Sequence, residues 1–265
     1  MTGPQRIVCL TAETVETLYL LGQEHRIAGV TGYAVRPPRV RREKPRVGAF
    51  TSADTGKILA LNPDLVLTFS DLQAEIAADL IRAGVEVLAF NQRDVAGILR
   101  MIDTLGRLTE ASDRAQQMIT EFNTRKAGLR AAAPATPPRV WFEEWDDPLI
   151  SGIGWASELI AIAGGQDIFA DLATKPKASD RIVTPGQVID ARPDIILASW
   201  CGKKVSPARI AARPGWDAIP AVQTGQIHEI KSPLILAPGP AALTAGLDAI
   251  ARIIAEVPKK KEPPC

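Results

Sequence analysis

Short apolar runs alternate with helical segments through most of this chain. Ile7 to Leu10 reads as a buried strand, Thr14 to Leu21 as a helix that Gly22 ends, and Ile27 to Thr31 as a second strand. Leu72 to Ala83, Gly84 and Val85 to Phe90 add another helix and strand. Helical spacing then takes over: Val95, Ile98, Ile102 and Leu105 share one face, and Ala115, Met118, Phe122 and Leu129 share another, with Thr109 or Ser112 available as the cap between them. The second of these helices, of about 20 residues, would rise about 30 Å. After the stiff stretch Ala133-Pro134-Ala135-Thr136-Pro137-Pro138 the alternation restarts. Arg139 to Glu143 is a strand, Ser151 to Gly154 a glycine-rich turn, and Trp155 to Ala163 a helix closed by Gly164-Gly165. Short strands alternating with helices predict parallel sheets with covering helices.

One phrase occurs twice. Residues 53–71 read ADTGKILALNPDLVLTFSD, and residues 184–204 read TPGQVIDARPDIILASWCGKK. With Gly56 set on Gly186, the next positions share Gly, Pro, Asp and Leu and exchange Ile, Leu and Val at four others. Each copy predicts a helix, a turn at Pro63-Asp64 or Pro193-Asp194, and a core strand running out to Phe69 or Trp200. One copy on each side of the helical region implies two α/β lobes joined by a long helix: a lobe over 1–93, a connector over 94–133 and a lobe over 134–265.

Bulk properties agree and exclude several classes. A chain of 265 residues with 46% hydrophobic and 23% charged residues can bury two cores. Lysine and arginine total 31 against 30 acids, so no global field attracts nucleic acid or an anionic membrane. No apolar run approaches the roughly 18 residues of a membrane span, and Met1 to Arg6 passes into Ile7 without a signal-peptide pattern, which implies a cytoplasmic location, or a periplasmic one only if a signal peptide has been removed. Cys9, Cys201 and Cys265 are too dispersed for a disulfide framework or a zinc site.

The stretches GVTGYAVRPP, RVGAFTSADTGKILALNPDLVL, LISGIGWASELIAIAGGQDIF, VIDARPDIILASW and ARPGWDAIPAVQTGQIHEI together resemble the cobalamin-binding branch of ABC-transporter substrate-binding proteins, the class III type that binds vitamin B12 or iron chelates. The resemblance implies two Rossmann-like lobes joined by a single rigid helix, a corrinoid or iron chelate held in a cleft between the lobes, small hinge motion and no bond chemistry. The positions that match cleft-facing motifs are Thr11 to Glu13, Tyr33, Phe50, Phe69, Trp145, Trp155 and Trp200, with Lys203 beside them. Flat rings suit a large planar ligand, although Phe50 and Phe69 read equally as core, and Trp141 and Trp216 read as packing. Cobalamin or a related corrinoid is therefore the expected ligand; an iron chelate or haem is the alternative.

The chain departs from that pattern at both heads of the repeated phrase. Transporter-bound members of the resembling family carry a permease-docking glutamate there, whereas this chain has Gly56 and Gly186, so permease docking is doubtful. The family's tryptophan upstream of the second phrase falls near Asp180 and Arg181, and its last acidic contact near Pro233. Glu143, Glu144, Asp146, Asp147, Lys203, Lys204 and Lys231 would instead meet a polar ligand edge or form salt bridges closing the lobes.

Other chemistry is thinly represented. His25 and His228 are the only histidines, so no multi-histidine metal site exists. Cys201, beside Lys203 and Lys204, is the sole candidate for an activated thiol, but no base accompanies it. GIGWAS lacks the third glycine of a dinucleotide fingerprint, and the adjacent acids of FEEWDD alternate faces along a strand. The expectation is a binding protein, not an enzyme. RPPRVRREKPR, Arg36 to Arg46, reads as a solvated loop or a site for an anionic partner, and the final PKKKEPPC as a disordered tail.

Overall fold

The computed structural model describes residues 3–257; the PKKKEPPC tail, with Cys265, lies outside the described residues. The chain forms two compact units, Met1–Phe122 with Ala237–Ala241, and Asn123–Leu236 with Ala242–Cys265. These bounds differ from the expected 93 and 134. The helix Val95–Leu108 buries Val95, Ile98, Met101, Ile102 and Leu105, which makes it part of the first unit's core instead of a connector. The division falls inside the helix Ser112–Ala131. Five residues near the other end of the chain also return to the first unit: Ala241 N–H donates to Glu16 (3.1 Å), and Gln92 donates to the Pro238 carbonyl (3.1 Å).

The first unit holds β1 (Ile7–Cys9), β2 (Ile27–Val30), β3 (Leu65–Phe69) and β4 (Val87–Phe90) in the order β2-β1-β3-β4, all parallel. The second holds β5 (Arg139–Asp146), β6 (Leu149–Ser151), β7 (Gln166–Asp167), β8 (Ile195–Ala198) and β9 (Ile227–Glu229). Its order is β6-β5-β8-β9, with β7 pairing the first residues of β5. Among these named strands of the described residues, β5 and β6 pair antiparallel and the other pairs are parallel. Every residue of β1, β3 and β8 is buried, as continuous apolar runs in a parallel sheet require.

The repeated phrase builds the same device in both units. Asp54 caps the helix Thr55–Ala60 by accepting from the Lys57 N–H (2.9 Å). Thr184 and Gln187 form a capping box on the helix Pro185–Ala191. Asn62 and Arg192 then adopt left-handed conformations, with φ of 47° and 46°, ahead of Pro63 and Pro193. The following aspartate grips the unit's first strand. Asp64 accepts from the backbone N–H of Gln5 (2.6 Å) and Arg6 (2.9 Å), and its own N–H donates to the Arg6 carbonyl (3.1 Å). Asp194 accepts from the Arg139 N–H (3.0 Å) and donates to the Arg139 carbonyl (2.8 Å). Arg6 and Arg139 complete the match by donating to the carbonyls of Leu61 (3.0 Å) and Ala191 (2.9 Å).

One expected equivalence shifts. Superposing Gly56 on Gly186 puts Phe69 on Ser199 and Ser70 on Trp200, so the two rings leave opposite faces of their strands. Trp200 joins Ile196 and Ala198 in a cluster with Trp141, Ile210 and Trp216, whereas Phe69 packs against Phe50 at 6.3 Å between ring centres. Neither residue expected to cap the second long helix stands at that position: the Thr109 hydroxyl turns back to the Leu105 carbonyl (2.7 Å), and Ser112 is already the first residue of the helix, after Ala111. No helix among the described residues is long and apolar enough to cross a membrane.

The two aspartates differ in setting, since Asp64 is exposed and Asp194 is buried. Asp64→Ala is expected to cost about 1 kcal/mol and Asp194→Ala about 2–3 kcal/mol, because a hydrogen bond to a charged group strengthens with burial. Urea denaturation of both variants measures the difference.

Candidate functional site

In parallel α/β sheets ligands meet the loops at the carboxyl ends of the strands. In the first unit those loops are stapled by a residue the sequence reading passed over. Gln73, 1% exposed, donates to the carbonyls of Leu10 (3.2 Å) and Phe50 (2.7 Å) and accepts from the Phe69 N–H (2.9 Å). One amide thus ties together the ends of β1 and β3 and the loop carrying Phe50. Of the ligand residues expected here, Tyr33 is 56% exposed and Phe50 half-buried, while Phe69 is 5% exposed under the Arg93 guanidinium, 5.1 Å from its ring centre.

Thr11 and Glu13 lie beneath this surface. Thr11 is fully buried, its hydroxyl sharing a hydrogen bond with Thr14 (2.9 Å). Glu13 is 4% exposed, and Gly239 packs so closely on it that an added Cβ would stand 2.5 Å from the Glu13 Cβ. Burial pushes the Glu13 carboxyl up to about 7; its own backbone N–H and the Thr11 hydroxyl oppose that rise, and nearby Glu16 adds to it.

The second unit concentrates its polar chemistry on one buried carboxylate. Glu143, on β5 and fully buried, accepts from the Trp141 indole N–H (3.2 Å), the Trp200 indole N–H (3.1 Å) and both terminal nitrogens of Arg213 (2.5 and 2.8 Å). Arg213 in turn lies 4.5 Å over the Trp216 ring. The paired charge is compensated on both oxygens, which is the condition for keeping a carboxylate at this depth. Neighbouring acids are paired as well: Glu144 is bidentate with Arg181 (2.7 and 3.0 Å), Asp146 with Lys203 (2.7 and 2.6 Å), and Glu229 binds Lys231. Each of these pairs joins residues of the second unit. Arg181, 1% exposed, also donates to the Ser151 carbonyl and so fastens β6.

The expected second-unit contacts therefore divide by depth. Trp145 is partly exposed, its indole N–H fixed on the Asp147 carbonyl (2.9 Å), and the Lys203 side chain is 39% exposed. Trp200 is 2% exposed and held by Glu143. Trp155, 4% exposed, donates to the Ile235 carbonyl (2.7 Å), so its indole N–H anchors backbone. Tyr33, Phe50, Trp145 and Lys203 offer surface; Thr11, Glu13, Phe69, Trp155 and Trp200 sit below it because their polar atoms or faces are already used inside the fold.

The other candidates separate cleanly. Within Arg36 to Arg46, Arg36 pairs with Glu16 (2.7 Å), Arg39 with Glu24 (2.9 Å) and Lys44 with the Ile27 carbonyl (2.8 Å), which leaves Arg41, Arg42 and Arg46 exposed. The Cys9 thiol is buried in β1 and pushed up to about 12 by that burial, so it is unreactive. Cys201 is exposed. Among the described residues no cluster of three or more histidine, cysteine, aspartate or glutamate residues could hold a metal.

Residues 7–234 match the sequence profile of a family described as periplasmic binding protein. The chain belongs to that family. Relatives include a cobalamin-binding protein of Halobacterium salinarum, 26% identical over 73% of this chain and 53% of its own length. A vitamin B12-binding protein of Yersinia pseudotuberculosis is 26% identical over 80% of this chain and 79% of its own. The chain thus spans about half the length of the first of these relatives and four-fifths of the second. Among solved structures, the periplasmic vitamin B12 binding protein of Vibrio cholerae covers 98% of this chain and 100% of its own, with a TM-score of 0.76 and 22% identity. A periplasmic heme-binding protein from Roseiflexus sp. RS-1 covers 95% and 100%, with a TM-score of 0.79 and 24% identity. These likenesses show a shared fold, mixed α/β with parallel sheets. The family and its neighbours are substrate-binding proteins, not enzymes.

Two expectations follow from the buried acids. Glu13 binds its proton more tightly folded than unfolded, so its contribution is unpenalised below about pH 4.5 and declines until about pH 7, by at most about 3 kcal/mol. Glu13→Gln should remove that decline, read as the difference between wild-type and variant stability at successive pH values. Arg213→Met strands the Glu143 carboxylate against two indole N–H groups and should cost about 3–5 kcal/mol; adding Glu143→Gln should recover part of the loss in the same urea experiment.

Proposed function

We propose that this protein binds a cobalamin-like corrinoid and holds, delivers or senses it without passing it to an ABC permease. The observation that carries the ligand assignment is the match, over roughly three-quarters of the chain, to relatives named for binding cobalamin or vitamin B12. The geometry supports it with aromatic surface at strand ends in both units, Tyr33 and Phe50 in the first and Trp145 in the second. Such rings stack on a planar macrocycle while nearby amides and cations meet its polar edge.

The separation from a permease rests on Gly56 and Gly186. Both are exposed in the first turn of a capped helix. A Cβ at either position would approach nothing closer than 3.4 Å at Gly56 and 3.9 Å at Gly186, and neither glycine has positive φ. Packing therefore does not exclude a glutamate at these positions. Stimulated corrinoid uptake in vesicles bearing candidate permeases would overturn this part of the reading.

Haem is the second reading, favoured by the fold shared with heme-binding neighbours. Visible absorption separates the two ligands. Hydroxocobalamin should bind saturably at or below tens of micromolar, and Trp145→Ala should weaken binding about tenfold, the order of one lost aromatic contact. Absence of binding in that range, with saturable uptake of haemin, would replace the corrinoid assignment by the haem one.

A further inference from the structure

The Lys203 ammonium occupies a cage. Its Nζ lies 2.7 and 2.6 Å from the two Asp146 oxygens, 5.3 Å from the centre of the Trp145 ring and 5.1 Å from that of Trp200. Two indole faces and a carboxylate around one cation are the arrangement that recognises organic ammonium ions, each face attracting the charge through its quadrupole.

The walls of the cage are held by groups other than Lys203. Trp145 is oriented by its N–H bond to the Asp147 carbonyl (2.9 Å), and Trp200 by its bond to Glu143 (3.1 Å). Asp146 lies on β5, paired across the hairpin with Leu149. The occupant comes from a different kind of element. Residues 201–204 are all exposed, turn at Gly202 with φ of 68°, and touch the cage wall through a long bond from the Lys203 N–H to the Trp200 carbonyl (3.4 Å). A fixed cage is thus filled by the tip of an exposed loop.

We propose that Trp145, Trp200 and Asp146 form a binding site for an organic ammonium cation, which Lys203 fills from within as a tethered competitor. Charge decides what can replace it. The Asp146 side chain is 7% exposed with Lys203 over it, so withdrawing the ammonium uncovers an unpaired carboxylate beside two indole rings. Only another cation restores the balance; Glu143 and Glu144, the neighbouring acids on β5, are already committed to Arg213 and Arg181. An incoming ammonium must also lift residues 201–204, since Lys203 and the ligand cannot share the cage.

The inference needs no corrinoid, and its test uses none. Tetramethylammonium chloride is titrated into wild-type and Lys203→Ala protein against sodium chloride of matched ionic strength, with tryptophan fluorescence as the readout. The expected result is a saturable change in Lys203→Ala at a half-saturation at least tenfold below wild type, lost when Asp146→Asn is added. Lys203→Gln, which keeps most of the side-chain stem, runs beside it with the same expectation, so a folding defect in one variant leaves the test standing. Equal half-saturation in wild type and variants, or variants that fold and show no saturable response, would overturn the proposal. Failure to bind hydroxocobalamin would count against the corrinoid reading and leave this result untouched.

Discussion

Both units hang on the grip of one aspartate on the first strand. Asp64 and Asp194 follow a left-handed residue and a proline, and each exchanges hydrogen bonds with the arginine that leads into or begins a neighbouring strand. Arg6 and Arg139 return the contact to the carbonyls of Leu61 and Ala191. This fixes the starting register between β1 and β3, and between β5 and β8, at the amino ends of the strands. In a parallel sheet a fixed start also fixes which residues emerge at the carboxyl ends, where the ligand-facing loops lie. The repeated phrase therefore joins two functions: its apolar residues build the core strand, and its Pro-Asp turn sets where that strand starts.

At the far ends of those strands the units solve different problems. The first uses a neutral amide, Gln73, to tie three backbone segments, at no cost in buried charge. The second buries a carboxylate and surrounds it with two indole N–H donors and an arginine, itself stacked on a third indole. A neutral staple tolerates small shifts, whereas a buried ion pair is stable only while all its partners stay in place. Trp141, Trp200 and Trp216 all fall within that one buried network, beneath the partly exposed Trp145.

Much of the fold was legible in the sequence because parallel strands are written as uninterrupted apolar runs, and because the repeat announces itself by Pro-Asp. The short strands β6 and β7 were not, since a three-residue strand across a hairpin and a two-residue edge carry no periodicity. The candidate site was legible in its aromatic positions and hidden in its depth. Periodicity cannot tell whether a ring at a strand end looks outward or is held by its N–H, and Trp155 and Trp200 are held. Gln73 and Arg213 were missed because the partners that define their roles, Leu10 and Phe50 for one and Glu143 for the other, are distant in sequence and meet only after folding, even though Arg213 sits within the ARPGW stretch.

The glycines that head the phrase bear on what the fold is for. A glycine inside a helix is disfavoured by roughly 1 kcal/mol relative to alanine, and a carboxylate in the first turn is favoured by the helix dipole. Gly56 and Gly186 forgo both advantages at exposed positions with room for a side chain. Local stability therefore argues against glycine at each site, and the neighbouring turn geometry does not call for it, since positive φ falls at Asn62 and Arg192. The glycines leave the second position of each helix without a side chain, while Asp54 and Thr184 do the capping. The one carboxylate at these helix starts is Asp54, which is committed to the Lys57 N–H and ammonium, whereas the second start offers the neutral Thr184 and Gln187.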